Sequence, residues 1–177
     1  RGVCPQHRDD STPPVDEGMR NKLLQAMMKM DLTRLDQTSQ LTYQRTLQII
    51  LSRFGRPDET VVNQLVSKID PLFPSGSAEM NWLLCETLAW LESPHIAQKA
   101  IAMIQSVPTQ EEQMQYARSI RFLKKGWTNQ LKEDYFNWFL KAANYGGGAS
   151  FAKFVEFIRD DAVASLTNAE KESLAEL

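Results

Sequence analysis

Cysteine and histidine are both scarce: two of each in 177 residues. So small a supply builds neither the disulfide framework of a small secreted scaffold nor a histidine-based metal cage. Charge of one sign is also missing, since 20 Lys+Arg stand against 22 Asp+Glu for a net charge of -2. A nucleic-acid binder usually shows a basic excess, and this chain shows none. No apolar run approaches the roughly 20 residues that cross a bilayer. The chain opens on Arg1 without a basic-then-apolar start, so no signal peptide is visible and the expectation is a soluble piece of something longer. Alternation of period two is absent as well, which argues against strands.

What is present is ordinary for a folded protein. Apolar residues make up 42% and charged residues 24%, too apolar for intrinsic disorder. A chain of this length buries roughly 70% of its unfolded surface. Residues 1–15 carry Cys-Pro, Asp-Asp and Pro-Pro without any period and read as a flexible leader or linker. From Asp16 the pattern is helical. Asp16 is expected to cap a helix with a stripe of Met19, Leu23, Met27 and Met30. Ser39 is expected to open a second, through Tyr43, Leu47, Ile50, Leu51 and Phe54, with Gly55 as its stop. Asp58 starts a third, Ser77 a fourth, and Pro94 marks the start of a fifth. Thr109 to Glu112 and Thr167 to Glu170 both have the capping-box pattern, and Thr128 and Ser150 are expected to cap the helices between them.

The chain also resembles itself. Leu51-Phe54-Pro57, Leu88-Leu91-Pro94 and Ile120-Leu123-Gly126 share a three-and-three spacing, and their first residues are 37 and then 32 residues apart. Each triplet closes one helix and precedes another. A helix–turn–helix unit at that step is the mark of an α-solenoid, because each pair buries its apolar face only against its neighbours. The uneven step departs from tetratricopeptide repeats and favours HEAT-like ones. The expected fold is therefore all-α, a single HEAT-like solenoid of about four antiparallel helix pairs over residues 16–177.

Chemistry-bearing groups are few. Cys4 and His7 have the spacing of two zinc ligands, but a structural site needs four and no second pair follows. Gly146, Gly147 and Gly148 precede a helix and suggest an anion-binding nest, but a phosphate loop would need the missing Gly-Lys-Ser/Thr. Arg118, Arg121, Lys124 and Lys125 cluster between Tyr116 and Trp127, a pattern that suits phosphate contact and base stacking. It equally suits a helix C-terminus, where the dipole favours cations. Tyr135, Phe136, Trp138 and Phe139, followed by Phe151, Phe154 and Ile158, read as core from a helix apolar around most of its girth. Phe157 falls off that stripe and marks a surface for a partner. Asp161 is expected to pair with Arg159 or Lys153, or to face water. No catalytic residue, cofactor-binding residue or metal ligand is proposed. The possible partner or anion contacts are Arg118, Arg121, Lys125 and Phe157.

The combination Glu111-Glu112-Gln113, Gly126-Trp127-Thr128, Tyr135 to Phe139, Gly147 to Phe151 and Ile158 to Ala162 resembles a known region. It is similar to the HEAT-like helical region of large bacterial multidomain proteins described as membrane-bound dehydrogenases or c-type haem-binding proteins. There, such a region lies between a sugar-dehydrogenase-like β-propeller and a c-type cytochrome domain. The resemblance implies a non-catalytic scaffold or protein-interaction module, with no cofactor in this segment. Its partners would be neighbouring domains or another protein, with no membrane insertion. It also implies an extracytoplasmic, periplasmic setting. Two alternatives stand beside it: a DNA-binding HEAT-like module with a basic concave face, and an enzyme with its site at the Gly146–Gly148 turn.

Overall fold

Short polar side chains set most helix starts, because an oxygen on the residue before the first turn accepts one of its unpaired backbone N–H groups. The computed structural model describes residue 9 and residues 11–174, and within them there are nine α-helices and no strand. They are α1 (Glu17–Lys29), α2 (Gln37–Phe54), α3 (Glu59–Ile69), α4 (Ala78–Trp90), α5 (Ile96–Ser106), α6 (Gln110–Ile120), α7 (Asn129–Ala142), α8 (Phe151–Ala164) and α9 (Asn168–Ser173). Asp16, Asp36, Asp58, Thr109, Thr128 and Thr167 accept from the expected backbone N–H at the starts of α1, α2, α3, α6, α7 and α9. The all-helical expectation holds.

Three starts differ from their expectation. Asp36, not Ser39, caps α2: its carboxylate accepts from the Ser39 N–H at 2.8 Å, so the helix begins one turn earlier. Pro94 lies in the turn ahead of α5, whose first residue is Ile96. Ser150 has a helical backbone and makes no side-chain cap. The Thr167–Glu170 capping box is complete. At α6 only one half forms, since the Glu112 carboxylate accepts from the Thr109 hydroxyl rather than from its backbone.

The chain divides into two compact units, Arg1–Thr87 and Leu88–Leu177, and the division falls inside α4. In the first, α1 packs on α2. The buried face of α1 is Arg20, Leu24 and Met27, one residue along from the expected stripe, and Met19 is 45% exposed. Arg20 takes the inner place because its stem packs while its guanidinium donates to the carbonyls of Phe54 and Arg56. Gln44 is buried on α2 and donates through Nε2 to the Thr87 hydroxyl at 2.7 Å. The α2 stripe of Tyr43, Leu47, Ile50, Leu51 and Phe54 is buried as expected.

In the second unit α5 packs on α6 and α7, and α8 packs on both α6 and α7. Its core is Ile96, Ala97, Ala100, Ile101, Tyr116, Ile120, Tyr135, Trp138, Phe139 and Ile158. Of the four aromatics expected in the core of α7, Phe136 is only half-buried. On α8 the buried residues are Val155, Ile158 and Ala162, so Phe154 turns outward together with Phe157. The two leading residues of each closing triplet are buried in all three copies.

Candidate functional site

The turn between α6 and α7 gathers the site. Gly126 has φ +78°, and a Cβ there would lie 2.6 Å from the Pro94 carbonyl oxygen. Only glycine satisfies both the left-handed backbone and that close approach. Trp127, directly after it, donates from Nε1 to the Leu123 carbonyl at 2.8 Å, which sets the indole against Tyr135 with ring centroids 5.5 Å apart. The Tyr135 hydroxyl donates to the Ala117 carbonyl at 2.7 Å, so a buried phenol is satisfied without any partner from the cleft.

Above these rings lies a partly enclosed cavity of about 190 Å³. Trp127, Tyr135 and Phe136 form an aromatic side, and Leu123, Ala162 and Leu166 extend it. Arg121, Lys124 and Lys132 bring positive charge to the lining, which Ser165, Thr167 and Glu170 complete. Lys132 on α7 pairs with Glu170 on α9, and the Lys132 side chain is largely buried. The other Glu170 oxygen accepts from the Thr167 backbone at 2.8 Å and from its hydroxyl at 2.9 Å. The hydrogen bond from Lys132, with those from Thr167, holds the Glu170 carboxyl down at about 2.

The expected basic cluster reaches this cavity through Arg121 and Lys124, and two of its charges, Arg121 and Lys125, are ion-paired. Arg121 pairs through Nε with Asp161 on α8 at 2.9 Å, donates from Nη1 to the Arg118 carbonyl, and lies over the Phe122 ring. Lys125 pairs with Glu92 at 3.2 Å. Lys124 is exposed and forms no ion pair among the described residues. Asp161 therefore takes Arg121, 40 residues away, and neither Arg159 nor Lys153. Arg159 pairs with Asp160, and Lys153 with Glu156. Phe157 is 55% exposed, with the Lys153 ammonium 5.2 Å from its ring centroid.

No protein-family model, curated protein or solved structure matches the chain.

The glycine turn is fastened rather than open. Gln113 is the hub: its Nε2 donates to the Val107 carbonyl, and its Oε1 accepts from the Trp138 indole and the Tyr145 hydroxyl. Gln110 donates to the Gly146 carbonyl. Gly147 is needed because a Cβ there would lie 2.5 Å from the Phe151 ring, and none of the three glycines has a left-handed φ. Successive amides thus lack the alternation of hand that forms a nest. The Cys4–His7 pair lies outside the described residues. Within them, no group of three or more His, Cys, Asp and Glu is placed to hold a metal ion, and no helix is long and apolar enough to cross a membrane.

Sequence reasoning missed Lys132, which looks like any helix-surface lysine, and the second role of Glu170. It also missed Glu92, which has φ +55° at the end of α4. There the Ser93 N–H donates to the Leu88 carbonyl and the Glu92 N–H to the Ala89 carbonyl. This is a Schellman stop with glutamate in the place glycine usually fills, so the usual sequence signal was absent.

Proposed function

We propose that the chain is a non-catalytic interaction module, a HEAT-like run of about four antiparallel helix pairs that holds neighbouring domains of a larger bacterial redox protein. The observation that supports this reading is the recurrence of one helix–turn–helix unit. Leu51 and Phe54, Leu88 and Leu91, and Ile120 and Leu123 are each buried at the close of a first helix, and a second helix follows each time. Such units bury apolar surface mainly against their neighbours and leave one set of helices for contact. The groups singled out for chemistry serve structure: Arg121 and Lys125 are ion-paired, and Gly126 and Gly147 meet packing demands. Phe157 on α8 is the contact residue of choice, a large apolar side chain held outward on a rigid helix.

The test is co-purification with the separately produced propeller and cytochrome domains of the parent chain. Retention of either at physiological salt is expected, with at least tenfold weaker binding for Phe157→Asp. Binding to neither domain would overturn the proposal.

A further inference from the structure

The cavity lined by the α6–α7 turn, α7, the end of α8 and the start of α9 combines two properties that structural packing alone does not require together. Its lining carries aromatic and aliphatic surface from Trp127, Phe136 and Leu166 together with three cations. Its volume, about 190 Å³, lies below the about 300 Å³ at which drug-sized pockets begin. It exceeds the about 150 Å³ that an engineered apolar cavity needs to take up benzene. One six-membered ring with a small substituent is the size class that fits.

Charge decides the substituent. Among the described residues, Glu170 is the one carboxylate lining the cavity, against three cations, and it is committed to Lys132 and Thr167. Arg121 is committed to Asp161 outside the lining. Lys124 lines the cavity, is exposed, and has no such partner among the described residues. A ligand with its ring against Trp127 and an acid group at Lys124 would satisfy both surfaces at once. We propose that this cavity is a binding site for a small aromatic carboxylate, with the ring stacked on the Trp127–Phe136 side and the carboxylate paired to Lys124. Lys132 is a second, competed cation: Glu170 holds it, and an incoming carboxylate must share it. The site is independent of the interaction role and would survive the failure of that reading.

The probe is benzoate, followed in ¹H–¹⁵N spectra of the whole labelled chain, with the Trp127 indole peak assigned through Trp127→Phe. Saturable shifts at Trp127, Lys132 and Thr167 are expected, with a dissociation constant on the order of 1 mM for so small a ligand. Lys124→Gln lies on the surface and should weaken binding at least threefold. Glu170→Gln keeps the capping geometry, since glutamine serves at that position. By releasing Lys132 it should tighten benzoate at least threefold, an outcome that mere damage to the fold would not produce. Benzyl alcohol tests the charge and acetate tests the ring. Equal affinity for benzyl alcohol, equal shifts with acetate, absence of saturation by 20 times the expected constant (on the order of 20 mM), or weaker binding by Glu170→Gln would each overturn the assignment.

Discussion

Gly126 shows how one residue ties a turn to its surroundings. Its left-handed backbone alone would disfavour any other side chain, and the Pro94 carbonyl 2.6 Å from a notional Cβ removes the space as well. Gly126→Ala is expected to destabilise the fold by about 1–3 kcal/mol, read as a lowered midpoint in denaturant. An unchanged midpoint would mean the α6–α7 turn relaxes freely. Gln113 works differently. It serves the Val107 carbonyl, the Trp138 indole and the Tyr145 hydroxyl with one amide, so the buried indole and two half-buried groups depend on it. Its part was not readable from sequence, where it appears as one polar residue after the Glu111–Glu112 pair. The cap residues were readable, because a side chain and the amide it serves lie within three positions of each other.

At the scale of elements, helix starts separate local from tertiary causes. Asp36 and Ser39 are both good cap residues, and sequence favoured the wrong one. Only Asp36 has the extended backbone, ψ 167°, that sends its carboxylate back over the first turn. Asp36→Ala should lower the thermal midpoint clearly, whereas Ser39→Ala should leave it almost unchanged. Equal losses in thermal melts would contradict this assignment of the cap. The helix faces follow the same division. α2 buries every residue its period predicts. α1 and α8 are rotated by about one position because Arg20 and Val155 take inner places that Met19 and Phe154 were expected to hold. Apolar character alone does not fix a helix's angle when a long polar stem packs equally well and its head finds carbonyls.

For the whole molecule, the titrating groups set a window of stability. Asp9, Asp31 and Asp36 are lowered from 3.8 by hydrogen bonds from nearby Ser and Thr residues, and Glu170 from 4.5 to about 2, chiefly through Lys132. A lowered carboxyl stabilises the fold at pH above its unfolded value and loses that contribution as pH falls toward its folded one. Tyr43 runs the other way. Burial pushes its phenol up to about 12, so its contribution holds below pH 10 and is lost between 10 and 12. Thermal midpoints should therefore be level from about pH 6 to 9, then fall below about pH 4.5 and above about pH 10. Flat behaviour down to pH 3 would show that these hydrogen bonds do not distinguish folded from unfolded chains.

Sequence alone determined the helical class, most cap residues and the closing triplets, because each depends on period or spacing along the chain. It also placed Arg121, Lys124 and Trp127 in one short stretch. Only the tertiary structure decided what they do. Arg121 meets Asp161 after 40 residues, and Lys132 meets Glu170 after 38. Charge pairing over such distances is set by which helices pack together, and no local pattern encodes it. The scarcity of cysteine and histidine was silent on a cavity lined by rings, two lysines and a capped glutamate, because that lining comes together only when the helices pack.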